Sequence, residues 1–248
     1  MNQATRSIIL ISSLAILPFC TKSLAATAAI DPARVVFIKA DDFKGIDNYT
    51  QKWTDFLQAS RDIGIQVGLG VIVEHIDGKA STHQWMRDQV AQGDVEFWNH
   101  GWDHNRTTMT DGTTVYEFSG TGLTHMREHM LWAQAGLKEA LGQDAVTFGT
   151  PYNQFDSDAA TVVNETTALR VLFSRSTIPL DARVSVVNII SELDGTGKPN
   201  AAKFEERYPS GPAGPVSLQF HPTAFDSTGL TEYTNIVQSL QDKGYTVM

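Results

Sequence analysis

The sequence predicts an α/β protein in which a parallel sheet or barrel is surrounded by helices, built as a single domain. Short apolar runs rich in β-branched residues alternate along the chain with amphipathic helical patterns, which is typical of repeated β-α units. No internal repeat or linker interrupts this alternation. The length of 248 residues and the apolar content of 42% suit one domain with a sizeable core.

Seven apolar runs predict the strands, because each is short, rich in valine, isoleucine or phenylalanine, and bounded by polar residues or glycine. In chain order they are Val35–Ile38, Ile65–Val73, Val95–Trp98, Val146–Phe148, Val171–Phe173, Val184–Ile190 and Val216–Phe220.

Four segments between these runs predict helices, because their apolar residues recur at three- and four-residue spacing. Trp53, Phe56 and Leu57 form such a stripe, and Gly64 and Gly142 supply helix ends. The predicted helices are Trp53–Ile63, Thr82–Ala91, Thr121–Leu141 and Leu230–Gln241. A segment rich in glycine, proline and lysine, 194–215, is expected to be one long loop.

The charge and cysteine content exclude two classes of protein. The formal net charge is −9, so no basic surface is expected to hold a phosphate backbone, and nucleic-acid binding is disfavoured. The single cysteine cannot form an internal disulfide. The sequence gives no prediction of oligomeric state.

The amino terminus has the pattern of an export signal. Arg6 precedes an apolar run, Ile8–Phe19, which is shorter than the roughly 20 residues that span a bilayer but suits the core of a signal peptide. The small residues of Ser23-Leu24-Ala25 then favour cleavage. We therefore predict a signal peptide at 1–25 and a secreted or periplasmic domain at 26–248, without stable membrane insertion after cleavage. An uncleaved anchor is the alternative.

Polar residues follow several of the predicted strands, where barrels of this kind build their sites. Asp41 and Asp42 follow the first strand, His100 follows the third and precedes His104 by four residues, and His221 follows Val216–Phe220. A helical turn would bring residues four apart onto one face. One carboxylate and two imidazoles make a three-ligand metal site, and the other carboxylate and histidine suit a general base and acid. Adjacent strand residues point in opposite directions, so the two aspartates are expected to act differently.

Four short motifs occur in a fixed order and resemble those of the polysaccharide deacetylases, the NodB-homology carbohydrate esterases. The resemblance extends over 35–247, nearly the whole predicted mature chain. The motifs are the paired aspartates of Lys39–Gly45, the histidine pair His100 and His104, the Pro-Tyr ending of Phe148–Tyr152, and the Leu-x-x-His of Leu218–His221.

The resemblance implies a distorted (β/α) barrel that removes acetyl groups from a poly- or oligosaccharide, N-acetyl as first expectation and O-acetyl as second. It implies one divalent ion, typically zinc, as the cofactor. The implied roles are Asp41 as general base, His221 as general acid, Asp42, His100 and His104 as metal ligands, and the Tyr152 amide as oxyanion donor. We also place Asn153 and Trp102 on the substrate side of the site.

The chain departs from the family pattern at three points. The third motif usually opens with an arginine that orients the catalytic aspartate, and Gly149 stands there. Arg106, Arg127, Arg175 or Asn153 are left as substitutes. The family's fourth motif, which would supply the residue that tunes His221, is not recognisable between Arg170 and Asp194. Gly101 replaces a common hydroxyl residue in the second motif. A metal- and glycan-binding protein of the same fold without turnover is therefore an alternative.

A second motif favours a different function. The segment His125-Met126-Arg127-Glu128-His129 matches the HxxEH signature of zinc peptidases, with Glu205 or Glu206 as a possible third ligand. The apolar stripe of the same predicted helix leaves both histidines on its flank, as in an ordinary amphipathic helix. We expect a structural role for both histidines and keep the peptidase as a lesser alternative.

Overall fold

The computed structural model describes residues 30–47, 49–191 and 197–248, so the predicted signal peptide lies outside the described residues. The strands of this part, in chain order, are β1 (Val35–Phe43), β2 (Val67–Val71), β3 (Val95–Asn99), β4 (Arg106–Thr108), β5 (Thr114–Tyr116), β6 (Thr147–Gly149), β7 (Val171–Phe173), β8 (Ser185–Ile190), β9 (Val216–Phe220) and β10 (Thr246–Val247). Seven of them are parallel and close into a barrel in the order β1-β2-β3-β6-β7-β8-β9, with β9 pairing back onto β1. The short strand β10 pairs with the start of β1.

Six helices connect or flank these strands within the described residues. They are α1 (Thr50–Asp62), α2 (Ala80–Val90), α3 (Leu123–Leu141), α4 (Ser157–Glu165), α5 (Ala201–Arg207) and α6 (Ser227–Asp242). The main core lies between the barrel and its helices, where Ile38 and Ala40 of β1 join a cluster that includes Phe56 of α1 and Tyr233 of α6. No helix in this part of the chain combines the length and the hydropathy needed to cross a membrane.

Large side chains fill the inside of the barrel and leave no room for a side chain at two neighbouring strand positions. The Trp98 ring lies in a cluster with Phe173 and Ile189, against Phe37. A Cβ atom at Gly70 would lie 2.4 Å from Trp98 Cζ2, and one at Gly149 would lie 2.9 Å from Trp98 Cζ3. These two strand positions must therefore be glycine for the indole to fit.

The predicted fold class is confirmed, and each predicted strand and helix is present with ends that shift by a few residues. The prediction of one long loop at 194–215 is wrong, because α5 forms within it. The Asn200 side chain caps α5 by accepting from the Lys203 amide, and Phe204 is buried. Helix α4 and an exposed two-stranded ribbon, β4 (Arg106–Thr108) and β5 (Thr114–Tyr116), were not predicted.

Candidate metal centre and active site

The carboxyl ends of β1, β3 and β9 bring the predicted ligands and catalytic residues together. Asp42 Oδ1 lies 3.4 Å from His100 Nε2 and 3.2 Å from His104 Nε2. Asp42 Oδ2 lies 3.7 Å from His221 Nε2, and Asp41 Oδ2 lies 3.7 Å from His100 Nε2. Five residues from distant parts of the sequence thus surround one point at the barrel mouth, as the barrel rule predicts.

The two aspartates do not point to opposite faces as their strand position predicts. The register of β1 against β2 shifts between Ala40 and Phe43, and Asp42 adopts a left-handed backbone with φ of 69°. This irregularity turns the Asp42 carboxylate towards the same histidine that Asp41 approaches. Both carboxylates therefore face the site, although their nearest partners differ.

The two candidate ligand histidines, His100 and His104, lie on a loop after β3 and not on the helical turn that their spacing suggested. Gly101 and His104 both have positive φ, 85° and 55°. Buried Glu117 holds this loop by accepting from the Trp102 amide at 2.5 Å and the His104 amide at 2.8 Å. A Cβ at position 101 would lie 2.5 Å from Glu117 Oε2. Gly101 thus makes room for the Glu117 carboxylate that shapes the loop. A glycine between the two histidines is the sequence signal that a group approaches the loop closely at this point.

The hydrogen bonds of His100 fix which of its nitrogens faces the site. His100 is buried, and its Nδ1 lies 2.7 Å from the carbonyl oxygen of Gly149. A carbonyl can only accept, so Nδ1 carries a proton and Nε2 is the ring nitrogen that faces Asp42. Metal-binding histidines have this arrangement, in which the second nitrogen donates to a backbone carbonyl.

The spacing of the three candidate ligand atoms fits a divalent cation. Asp42 Oδ1 is buried and has no aligned hydrogen-bond partner, although both ring nitrogens lie within 3.4 Å of it. Bonds of about 2.0–2.1 Å around a tetrahedral zinc ion would separate its ligand atoms by about 3.3 Å. Asp42, His100 and His104 thus offer donor atoms whose separations fit a divalent cation such as zinc.

The protonation of these groups also suits a cation. Burial would raise the pKa of Asp42, but the close approach of the His100 ring and the charges of the surrounding histidines lower it well below its usual range. Burial, followed by the positive charge of His100, lowers the pKa of His104 to about 4. At neutral pH, Asp42 is therefore ionised and His104 is neutral, the states in which both bind metals.

Asp41 is held by a residue that the sequence analysis did not consider. Lys39 Nζ lies 2.7 Å from Asp41 Oδ1 and 2.5 Å from Oδ2, and both side chains are buried. Residues two apart on a strand share a face. A lysine two residues before Asp41, inside an otherwise apolar strand, is therefore the sequence signal that could have indicated the Lys39–Asp41 ion pair.

The four substitutes suggested for the missing arginine have other partners. Arg106 lies over the Tyr152 ring at 5.2 Å, Arg127 pairs with Glu165, and Arg175 donates to the Ile189 carbonyl. Asn153 donates to Gln219 Oε1 at 2.8 Å. None of these contacts involves Asp41, whose ion-pair partner is Lys39.

The predicted substrate-side residues lie in two places. The Tyr152 ring is 4.4 Å from the His104 ring, and Tyr152 is partly exposed with φ of 56°. Asn153, next in sequence, has a buried Oδ1 with no hydrogen-bond partner in the described structure. The Trp102 ring instead packs against Trp132 at 5.7 Å, in an open groove beside α3.

The HxxEH histidines of α3, His125 and His129, help to support the loop that carries His100 and His104. His129 Nδ1 lies 3.0 Å from Glu117 Oε1 and 3.7 Å from Asp103 Oδ1, and the His125 ring stacks on His129 at 3.8 Å. Glu205, proposed as a third ligand, instead pairs with Lys243 of the α6 terminus. The group Asp103, Glu117 and His129 is compact enough for a cation, but Glu117 already accepts three hydrogen bonds.

We expect Glu117→Gln to destabilise the loop and weaken metal binding. The amide NH₂ of glutamine cannot accept from a backbone N–H, so one buried donor loses a charge-assisted bond worth about 1.5–3 kcal/mol. The affinity for zinc should fall about 10–100-fold, the usual cost of changing a group that orients a ligand. Urea unfolding and zinc titration measure the two effects. Exposed Glu128→Gln is the control and should change neither; equal zinc affinity of both variants would contradict the role of Glu117.

Comparisons with known proteins agree with the architecture. The profile of the family described as polysaccharide deacetylase matches residues 29–170. No curated protein sequence matches the chain. A CE4 family pseudoenzyme from Bacillus anthracis is similar in fold, with a TM-score of 0.61 and 10% sequence identity. The match covers 88% of this chain but 64% of that protein, so this chain spans less than two thirds of its length.

Two further structures are similar over most of both chains. The Xyl-CE4 domain of a xylanase from the hindgut metagenome of Trinervitermes trinervoides has a TM-score of 0.59 and 15% identity, with coverage of 87% of this chain and 86% of that one. A family 4 acetyl xylan esterase from Clostridium thermocellum, in complex with a cobalt ion, has a TM-score of 0.60 and 15% identity, with coverage of 86% and 87%. At these identities the likeness concerns the fold.

Proposed function

The chain belongs to the polysaccharide deacetylase family, whose members are hydrolases of acetylated carbohydrates, and on that premise we propose that it is a metal-dependent deacetylase of a poly- or oligosaccharide. We favour N-acetyl groups, with O-acetyl groups second. The observation that carries the proposal is the convergence of Asp42, His100 and His104 on one point, with Asp41 and His221 beside it.

Asp42, His100 and His104 would hold one divalent cation, for which zinc is our first choice. When bound, the cation supplies a Lewis acid that polarises the acetyl carbonyl and lowers the pKa of water. The similar esterase from Clostridium thermocellum was solved with cobalt, which supports a divalent ion in this fold without identifying the one used here.

The chain's own residues would carry the proton transfers. Asp41 takes a proton from the attacking water, and the Tyr152 backbone N–H donates to the oxyanion that forms from the acetyl oxygen. His221 lies near Asp42 Oδ2, on the side of the carboxylate away from the two ligand histidines. It then protonates the leaving amine or alcohol as the bond to the acetyl carbon breaks. The products are acetate and the deacetylated sugar.

The surface beside the metal ligands suits a sugar. Tyr152 exposes about a third of its surface next to His104, and its ring also lies 5.3 Å from the Tyr116 ring. Aromatic faces beside a polar site provide apolar contact for a pyranose ring. Trp102 and Trp132 would offer a second, separate apolar contact in the groove beside α3.

A second function, binding of metal and glycan without turnover, is favoured by two observations. One similar structure is described as a CE4 family pseudoenzyme, and this chain has Gly149 where the family arginine is expected. Such a protein would bind acetylated glycans and release no acetate.

Acetate release distinguishes the two functions and the peptidase alternative. The zinc-loaded protein is incubated with N-acetylated and O-acetylated oligosaccharides, with and without a chelator, and with casein as the peptidase substrate. We expect acetate release that the chelator abolishes and added zinc restores. Glycan binding without acetate would support the pseudoenzyme, and casein cleavage would support the peptidase.

We propose further that the protein is exported and cleaved after Ala25, on the basis of the apolar run and small residues described above. Amino-terminal sequencing of protein from the native host should begin at or next to Ala26. Recovery of the intact amino terminus in a membrane fraction would indicate an uncleaved anchor instead.

A further inference from the structure

We propose that Lys39 is the positioning residue of the base Asp41 and performs from β1 the task of the arginine that is absent at Gly149. This inference rests on the proposed function, because it assigns Lys39 a role in the same reaction.

The contact between the two side chains has the geometry of a clamp. Lys39 Nζ is within 2.7 Å of both carboxylate oxygens, so the Asp41 carboxylate cannot rotate without losing a charge-assisted hydrogen bond. In this orientation Oδ2 faces His100 and the candidate metal point. Lys39 itself has its contacts with Asp41 and with the Trp98 ring, 5.0 Å from Nζ, and so acts through Asp41.

The burial of Lys39 argues against a purely structural role. The residue is fully buried, and an ammonium removed from water loses its hydration. Buried ion pairs are often no more stabilising than apolar residues of the same volume. Stability alone therefore does not account for a lysine inside the barrel, whereas a fixed carboxylate at the site does.

The space around Gly149 explains why the cation comes from β1. A Cβ atom at position 149 would lie 3.3 Å from Lys39 Cε and 2.9 Å from Trp98 Cζ3. The lysine stem and the indole therefore occupy the room that a long side chain from β6 would need. The cation that contacts Asp41 here is therefore Lys39 of β1.

A double-mutant cycle on the zinc-loaded protein tests the proposal. Lys39→Met keeps the length of the side chain and removes its charge. We expect it to lower kcat for acetate release about 100-fold, since a displaced catalytic group costs about that much. KM should change less than about twofold, and one zinc ion per chain should remain bound, because binding does not depend on the clamp. Lys79→Met, which removes the exposed pair with Asp47, is the control and should leave kcat unchanged.

The second half of the cycle separates positioning from packing. If Lys39 acts through Asp41, adding Lys39→Met to Asp41→Asn should lower kcat by no more than about twofold further. Losses that multiply, or a Lys39→Met variant that keeps kcat within about threefold, would overturn the inference while the proposed function stands. A wild-type protein that releases no acetate would overturn the proposed function and, with it, this role.

Lys39→Arg provides the answer if Lys39→Met does not fold. A guanidinium can hold both oxygens of a carboxylate, so kcat within about tenfold of wild type supports the clamp. A loss as large as that of Asp41→Asn in a folded, zinc-containing Lys39→Arg protein would overturn it.

Discussion

Replacing Asp41 with asparagine is expected to slow acetate release by about 10²–10⁴-fold, the usual contribution of a general base. An amide has the shape of the carboxylate and accepts a hydrogen bond from water, but it cannot take the proton. Metal binding should persist, because Asp42, His100 and His104 supply the ligand atoms. The loss should therefore appear in kcat with zinc still bound at one ion per chain.

The buried partner of Asp41 makes a stability measurement necessary in the same experiment. The Asp41→Asn substitution leaves the Lys39 ammonium without a counter-charge, and breaking a buried ion pair costs about 3–5 kcal/mol. Activity is therefore compared at a temperature at which the variant is shown to be folded by thermal unfolding. Exposed Asp47→Asn is the matched control and should keep its activity. A loss of less than about threefold, while Asp42→Asn abolishes activity, would mean that another group is the base.

Replacing His104 with alanine is expected to remove the metal and the activity together. Changing groups that only orient a ligand costs about 10–100-fold in affinity, so losing a ligand should cost more than about 100-fold. Metal content after dialysis, measured by mass spectrometry of the element, should fall from one zinc ion per chain to nearly none. His104 is partly exposed and its loop is held through its backbone amide, so the fold should survive the truncation.

His125→Ala is the control for this second prediction. His125 stacks on His129 and lies outside the group formed by Asp42, His100 and His104, so zinc content should not change. If His125→Ala lost the metal and His104→Ala kept it, the cation would belong to the group around Glu117 and His129. The peptidase alternative would then regain support.

The family and the fold class predicted from the sequence are confirmed, because they depend on signals that are local in the sequence. The enzymatic activity stays a proposal. Apolar runs such as Val171–Phe173 and Val216–Phe220 correspond to strands residue for residue. Polar residues directly after such runs had to meet at one end of the barrel. The roles of Asp41 and His221 stay predictions.

The features that the sequence did not predict depend on contacts between distant segments or lack a periodic pattern. The ribbon strand Arg106–Thr108 is entirely polar and exposed, so no alternation marks it. Helix α5 is seven residues long with Phe204 as its buried residue, too short for a helical stripe. Glu117 follows the ribbon in the sequence and accepts a hydrogen bond from the His104 amide. Only the folded chain shows that this contact, and not a helical turn, positions the histidine pair.

The packing of Trp98 against Gly149 and Lys39 bears on how activity is judged across such proteins. A chain that lacks the arginine of the third motif would be classed as inactive if that position were inspected alone. Here a Cβ atom at position 149 would meet both the Trp98 indole and the Lys39 stem, so positions 39, 98 and 149 are sterically linked. A motif scan that inspects these three positions together would distinguish chains in which a cation on another strand holds the aspartate from chains that have lost it.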